Sequence, residues 1–251
     1  MPYADNHGVR IHYEVEGAGS PIVLQHGITD GLESWYDYGF VDALRDDHTL
    51  ILIDARGHGD SDKPHDPAAY RLDRLAGDVV AVLDGLGHSV AHFWGYSTGG
   101  RIGFGVAKHA RARVNRLVIG GMHPYARNME PFRQLFRKGI AEGRDAFVAA
   151  VEGSYGAIPP GLRARQLAAD FSALLALAED WPSLEEILPK IATPCCIYAG
   201  EADPLCAGAK QASEAIPKAM FFSLPGLGHL AAGMRSDLVV PEVTRFLRAE
   251  G

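Results

Sequence analysis

Residues 90–103 decide the fold, and they read Val90-Ala91-His92-Phe93-Trp94-Gly95-Tyr96-Ser97-Thr98-Gly99-Gly100-Arg101-Ile102-Gly103. An apolar run ends in a Gly-x-Ser-x-Gly pattern, and a segment rich in small residues with helical spacing follows. A serine at a sharp strand-to-helix turn has a strained backbone, so the residues two positions away must be small. The helix that begins there directs free N–H groups toward whatever the serine attacks. We therefore predict that Ser97 is a nucleophile, against the alternative of a glycine-rich loop that contains a serine by chance.

The composition of the whole chain is that of a globular protein with one sizeable core. The chain has 251 residues, of which 47% are hydrophobic and 22% are charged, and its net charge is −7. This charge argues against nucleic acid or an anionic membrane as the main partner. We find no apolar run of the roughly 20 residues that a spanning helix needs, and no signal-peptide pattern at the N-terminus. We expect a cytoplasmic protein without membrane contact, and a homo-oligomer is compatible with the sequence.

The cysteines do not indicate a disulfide framework or a metal site. There are three of them, Cys195, Cys196 and Cys206. An odd number with two adjacent members fits a reducing compartment, and we find no regular spacing of metal ligands around them. We interpret them as small core or loop residues, and we expect no metal and no cofactor.

Short apolar segments alternate with helical patterns along most of the chain. Strands are predicted over residues 9–16, 21–25, 49–54, the run before Gly95, 114–119, 194–200 and 220–224. Amphipathic helices are predicted after several of them, for example over residues 71–86. This alternation predicts an α/β protein with a mostly parallel sheet that is covered on both faces.

The strand signals stop for 67 residues between His123 and Pro189. Helical patterns fill this segment, and they cover residues 130–141, 144–151, 161–167 and 171–180. We predict a helical cap over residues 123–189, inserted into a core formed by residues 1–122 and 190–251. The chain would then be a single domain with an insertion.

The unusual loops all follow predicted strands, and they cover residues 26–31, 55–64, 95–99, 201–205 and 225–230. In parallel sheets, ligands bind beyond the carboxyl ends of the strands, so we expect these loops to converge. Ser97 needs a base there, and His229 is the best placed histidine. The sequence alone does not exclude three other histidines in post-strand loops, which are His26, His58 and His123.

A base histidine needs a buried carboxylate to fix its tautomer. Asp203 follows a strand and precedes His229, which gives the order Ser, Asp, His; Glu201 is the fallback. The attacked carbonyl needs two preorganised N–H donors, and we predict the N–H groups of Ile28 and Thr98. For His26 we favour the interpretation as a structural imidazole. For Asp54 and Arg56 we favour a role in shaping their loop.

Five motifs in this order resemble the α/β-hydrolase superfamily over the whole chain outside the cap. They are His26-Gly27, Asp54-x-Arg56-Gly57-His58-Gly59-x-Ser61, Gly95-x-Ser97-x-Gly99, Gly200-x-x-Asp203 and Gly228-His229. The resemblance implies a catalytic triad of Ser97, Asp203 and His229. It also implies a mostly parallel eight-stranded sheet whose first strands are antiparallel, with helices on both faces and the cap after the sixth strand.

Within the superfamily, the chain is similar to small-acyl carboxylesterases, lactonases and cofactor-free perhydrolases. Serine at position 97 argues against dehalogenases and epoxide hydrolases, whose nucleophile is aspartate. We expect a serine hydrolase of small carboxylic esters or lactones. Carbon–carbon bond hydrolysis of a diketone and a non-catalytic ligand receptor are the alternatives. Trp35, His123 and Tyr155 are candidate substrate contacts, although aromatic residues on helices are more often packing residues.

Overall fold

The structure is a computed structural model that describes residues 2–249. Within these residues the strands form one eight-stranded sheet in the order β1-β2-β4-β3-β5-β6-β7-β8. The strands are β1 (Tyr3–Asn6), β2 (Val9–Glu16), β3 (Ser20–Gln25), β4 (His48–Ile53), β5 (Ala91–Tyr96), β6 (Val114–Gly120), β7 (Cys195–Gly200) and β8 (Ala219–Leu224). Strand β2 pairs antiparallel with β1 and with β4, and the other pairings are parallel. The predicted fold class is therefore confirmed.

Helices cover both faces of this sheet and fill the long connection between β6 and β7. The helices are α1 (Ser34–Asp37), α2 (Phe40–Leu44), α3 (Leu72–Gly85), α4 (Thr98–His109), α5 (Glu130–Glu142), α6 (Arg144–Tyr155), α7 (Pro160–Ala168), α8 (Phe171–Leu177), α9 (Cys206–Ala215), α10 (His229–Gly233) and α11 (Ser236–Arg248). Short 3-10 segments lie at Pro67–Tyr70, Arg111–Arg113 and Glu185–Lys190.

Alternation along the strands builds two apolar layers, one on each face of the sheet. Adjacent residues of β5 illustrate this, because Phe93 packs in one layer and Trp94 in the other. Helices α3, α4 and α9 complete the first layer together with the helices between β6 and β7. Helices α1, α2 and α11 complete the second layer. Both Phe93 and Trp94 are fully buried, as expected for a strand with both faces covered.

The strand register brings the post-strand loops to one edge of the sheet. Gln25, at the end of β3, lies opposite Ile53 on one side and Gly95 on the other. Gly95 in turn lies opposite Ile119 near the end of β6. Because these strands end at the same level, the loops that begin after β3, β4 and β5 meet beside Ser97.

The two ends of the segment between β6 and β7 are tied to each other and to helix α4. Arg127 and Trp181 exchange two backbone hydrogen bonds of 3.0 Å each. Arg101 of α4 is buried, and its guanidinium donates to the carbonyls of Pro124 and Pro182 at 3.0 and 2.6 Å. The segment that contains helices α5 to α8 is therefore anchored at both ends to Arg101, which lies four residues after Ser97 in the chain.

The short strand β1 was not predicted, because its four residues alternate too briefly to stand out. Residues 34–44 contain two helices, because Gly39 takes a φ of 77° between them. Ser34 begins α1, and its hydroxyl donates to the carbonyl of Gly31 at 2.7 Å.

Candidate active site

The turn between β5 and α4 has the strained geometry that its glycines imply. Ser97 has φ 54° and ψ −117°, in a region that non-glycine residues rarely adopt. A Cβ on Gly95 would lie 2.2 Å from the carbonyl oxygen of Gly99, and a Cβ on Gly99 would lie 2.0 Å from that of Gln25. Both positions therefore require glycine. The turn places Ser97 at the edge of the sheet, directly before the N-terminus of α4.

Three predicted residues form one hydrogen-bonded chain. Ser97 Oγ lies 2.9 Å from His229 Nε2, and His229 Nδ1 lies 2.6 Å from Asp203 Oδ2. The other oxygen, Oδ1, accepts from the Leu205 N–H at 2.9 Å, and the Asp203 side chain is fully buried. A carboxylate facing Nδ1 requires that this nitrogen carries the proton, which leaves Nε2 to accept the serine proton. The arrangement can therefore activate a hydroxyl as a nucleophile.

Tyr96 fixes the position of His229, a contact that sequence reasoning missed. The Tyr96 hydroxyl donates to the carbonyl of His229 at 2.5 Å, and the two rings pack with centroids 5.4 Å apart. Burial raises the pKa of Tyr96, so the phenol stays a donor. An aromatic residue at the middle position of the nucleophile motif was the available signal.

The fallback acid and one candidate substrate contact lie elsewhere. Glu201 is exposed, and its carboxylate accepts from the Ser223 hydroxyl at 3.1 Å instead of reaching His229. The ring of His123 packs on Tyr125 with centroids 5.5 Å apart, and it is absent from the residues that line the cavity beside Ser97. The ring also lies against Gly208 of α9, where an added Cβ would come within 2.5 Å of it, so His123 packs away from the cavity.

The loop after β3 lies directly against Ser97. A Cβ on Gly27 would lie 3.2 Å from the Cβ of Ser97. Thr98 is the first residue of α4, so its N–H has no acceptor within the helix. Among the described residues, the N–H of Ile28 also donates to no acceptor. Both predicted oxyanion donors are therefore unused. Thr98 follows Ser97 in the chain, and Ile28 follows Gly27, which lies against Ser97.

A buried histidine holds the strained backbone next to Ile28. Thr29 has φ 64°, which is unfavourable for a β-branched residue, and its N–H donates to His58 Nε2 at 3.3 Å. His58 Nδ1 lies 3.2 Å from the carbonyl of Arg56, to which it donates. Burial lowers the pKa of His58 to about 3. The imidazole is therefore neutral at pH 7, as an acceptor for Thr29 must be.

His26 and Asp54 bind backbone groups on both sides of the same loop. His26 Nδ1 donates to the carbonyl of Gly27 at 2.7 Å, and its Nε2 accepts from the N–H of Ala55 at 3.0 Å. Asp54 is 1% exposed, and one of its oxygens accepts from the N–H of Leu32 at 2.9 Å. Neither side chain has a spare group for chemistry, so both serve to position the loop.

A cavity of about 360 Å³ opens at Ser97 between the loops and the helices α5 to α7. Its wall is mostly apolar, and Trp35 and Tyr155 are among the lining residues. The lining also includes His26, Gly27, Ile28, Thr29, Asp30, Tyr38, Tyr96, Phe132, Leu135, Phe136, Phe147, Val151, Leu162, Gln166, His229, Leu230 and Met234. A largely apolar cavity with a few convergent polar groups beside a serine–histidine pair is typical of a small-molecule site.

Within residues 2–249, no helix combines the length and the apolarity needed to cross a membrane. No group of three or more His, Cys, Asp or Glu side chains in the same residues is arranged to hold a metal ion.

Several known proteins are similar to this chain in sequence or in structure. Residues 20–168 match the family model of the alpha/beta hydrolase fold. A cis-3-alkyl-4-alkyloxetan-2-one decarboxylase from Shewanella oneidensis is 38% identical over 123 residues, which cover 47% of this chain and 37% of that protein. This match therefore covers less than half of each of the two proteins.

Two solved structures match nearly the whole chain. The enol-lactonase from Burkholderia xenovorans has a TM-score of 0.87 at 25% identity, with 99% of this chain and 100% of that chain covered. An esterase from Rhodococcus has a TM-score of 0.85 at 26% identity, with 99% and 98% covered. The family match over more than half of the sequence, together with the observed sheet and nucleophile turn, shows that this chain belongs to the alpha/beta hydrolase fold family.

Proposed function

We propose that this chain is a serine hydrolase that cleaves small carboxylic esters or lactones through an acyl-enzyme. The observation that carries the proposal is the hydrogen-bonded chain from Asp203 through His229 to Ser97 at the cavity wall. The structural similarity to proteins named as an enol-lactonase and an esterase, at 25% and 26% sequence identity, supports the substrate class.

In the proposed reaction, Ser97 Oγ attacks the carbonyl carbon while His229 Nε2 takes the hydroxyl proton. The charge that develops on the carbonyl oxygen is stabilised by the N–H groups of Ile28 and Thr98. Collapse of the intermediate breaks the ester C–O bond, and the leaving oxygen takes the proton from His229; the alcohol departs from an ester, whereas from a lactone the hydroxyl stays on the acyl chain. Water then attacks the acyl-enzyme with the same histidine as base, His229 returns the proton to Ser97 Oγ, and the carboxylic acid is released. Asp203 holds the imidazole in the required tautomer and stabilises its cation.

We also infer that residues 123–189 act as the cap of this site. The helices α5, α6 and α7 supply much of the apolar cavity wall, including Phe132, Phe136 and Leu162. Their ends are tied to α4 through Arg101, so the helices stand in a defined position over the nucleophile. The cap would then select the substrate, and the loops would perform the chemistry.

The test combines covalent labelling with a substrate panel. A fluorophosphonate is expected to add once per chain, and the mass shift should map to the peptide that contains Ser97. Against p-nitrophenyl esters, lactones and diketones, Ser97→Ala should lower kcat by roughly three to six orders of magnitude for the substrates that are turned over. Labelling of another serine with Ser97 unmodified would overturn the assignment. Turnover of diketones alone would favour carbon–carbon bond hydrolysis.

A further inference from the structure

One end of the cavity is polar, and it is built from two separate parts of the chain. The loop after β3 contributes Thr29 and Asp30, and helix α7 contributes Arg165 and Gln166. Arg165 Nε donates to Asp30 Oδ1 at 2.6 Å, and Gln166 Nε2 donates to the Thr29 hydroxyl at 3.3 Å. Thr29, Asp30 and Gln166 line the cavity, whereas Arg165 lies behind them. In the loop after β3, Asp30 lies two residues after Ile28, one of the two predicted oxyanion donors.

Two hydrogen-bond acceptors at this end are unused within the described residues. Gln166 is 2% exposed, and its Oε1 has no partner. Asp30 accepts from Arg165 and from the N–H of Gly31, but both bonds go to Oδ1, so Oδ2 accepts none. A buried polar atom without a partner is unfavourable, and Gln166 Oε1 is such an atom in the cavity wall. Both acceptors call for a ligand group that donates hydrogen bonds. A hydroxyl group also accepts one, as the unpartnered Tyr38 hydroxyl in the same wall requires.

The charges around the polar end also favour a ligand group that donates hydrogen bonds. Arg165 is shared between Asp30 and Asp37, which lie 2.6 and 2.7 Å from it, so two carboxylates face one guanidinium. Burial raises the pKa of Asp30, while Arg165 favours its ionised form. No lysine or arginine lines the cavity in the described part of the chain. A substrate carboxylate would therefore face the carboxylate of Asp30, and the single guanidinium at this end already pairs with two carboxylates.

We propose that Asp30 and Gln166 form a subsite that binds an O–H or N–H group of the substrate. The inference rests on the proposed function and narrows its substrate class to small hydroxy- or amino-substituted esters or lactones. The size is limited, because 360 Å³ lies near the lower end of the roughly 300–1,000 Å³ that is usual for small-molecule sites. The apolar body of such a substrate would lie against the rings of α5 and α6.

The test uses methyl esters of straight-chain acids that differ only at the far end of the acyl chain. The four ends are methyl, hydroxyl, ammonium and carboxylate, and each series covers a range of chain lengths. At the best length, kcat/KM should be about tenfold to a hundredfold higher for the hydroxyl and ammonium esters than for the methyl ester, as expected for a hydrogen bond to a charged acceptor. The carboxylate ester should be the poorest substrate.

Asp30→Asn replaces the unused acceptor by an N–H donor, so the preference for ammonium over methyl should disappear, because an ammonium group donates hydrogen bonds and accepts none. Asp37→Asn is the matched control, because it removes the same charge from Arg165 at a residue outside the cavity lining; the preference should remain. Gln166→Met is a second variant, for the case that Asp30→Asn does not fold, and it should reduce the preference. Equal kcat/KM for all ends in the wild type, or equal losses in both Asn variants, would overturn the subsite.

A binding measurement separates this inference from the proposed function. If no ester is turned over, the proposed function fails, and the same esters are titrated calorimetrically into the unmodified protein and into Ser97→Ala. Tighter binding of the hydroxyl ester than of the methyl ester would still support the subsite. Equal binding of the two esters would refute it.

Discussion

The two walls of the cavity are built by different means. On the side of the sheet, polar groups of the loops are held by hydrogen bonds at both ends, as in His26, His58 and Asp203. On the side of the insertion, rings pack on rings, with Phe147 4.8 Å from Phe171 and 5.8 Å from Phe136 between centroids. Hydrogen bonds are directional, whereas apolar packing tolerates exchanges of similar volume. We therefore expect changes in the loops to abolish activity, and changes in the insertion to alter substrate preference.

The largest effect is expected at the carboxylate behind the histidine. Asp203→Asn keeps the shape of the side chain but favours the wrong tautomer of His229, so kcat should fall by about 10⁴-fold. Steady-state kinetics on the best ester measure this loss. Glu201→Gln is the control, because Glu201 is exposed and lies on the same loop; it should retain most activity. A large loss in Glu201→Gln with little in Asp203→Asn would reverse the assignment.

The next effect concerns stability and not chemistry. Arg56, in the loop after β4, donates to both carboxylate oxygens of Asp78 at 3.1 and 2.6 Å, and both side chains are buried. Asp78→Ala leaves a buried guanidinium without its partner, so the free energy of unfolding should fall by about 3–5 kcal/mol. Urea denaturation measures it. Asp237→Ala breaks an exposed pair with Arg235 and should change stability little. Similar losses in both variants would contradict the expected difference between buried and exposed pairs.

A smaller, pH-dependent effect should come from His58. Burial lowers its pKa in the folded protein to about 3, whereas an unfolded histidine titrates near pH 6.5. Below about pH 6.5 the unfolded chain therefore binds a proton that the folded chain does not, and stability is lost as the pH falls toward 3. The loss is on the order of 1 kcal/mol per pH unit for this group.

His58→Gln tests this, because glutamine can still accept from Thr29 but does not titrate. Melting temperatures measured between pH 7 and pH 4 should fall less steeply for the variant than for the wild type. Parallel curves would mean that His58 is protonated in the folded protein, and the loop would then need another acceptor for the Thr29 N–H.

The smallest effect is expected on the wall formed by the insertion. Tyr155 lines the cavity although it is 54% exposed. Tyr155→Ala should change the ratio of kcat/KM between long and short esters by about tenfold or less, and should leave kcat for the shortest ester nearly unchanged. Phe132→Ala should act in the same direction.

Tyr3→Ala is the control for the insertion, because Tyr3 is 40% exposed on β1 and does not line the cavity. It should leave the substrate preference as in the wild type. If Tyr155→Ala and Phe132→Ala also left the preference unchanged in folded protein, the insertion would contribute packing only, and the two walls would not differ in function.

Local sequence was sufficient where one short segment carries its own constraint. The glycines around Ser97 predict the strained turn, because a side chain at either position would collide with backbone. Helices α5 to α8 follow their periodicity closely, and the predicted segments begin and end within a few residues of the observed ones. Strand β1 is only four residues long, and its pairing with β2 supplies the hydrogen bonds that make it a strand.

The sequence by itself determined the nucleophile turn, the alternation of strands and helices, and the order in which Ser97, Asp203 and His229 occur. Only the tertiary structure shows that Asp203 and not Glu201 contacts His229, and that His229 and not His123 contacts Ser97. In each pair both residues lie near a strand end, and the direction of a single side chain distinguishes them. The sequence alone also did not predict the polar end formed by Asp30 and Gln166, because more than 130 residues separate its two parts. Contacts of that range depend on how the insertion packs over the sheet, and local patterns do not encode this packing.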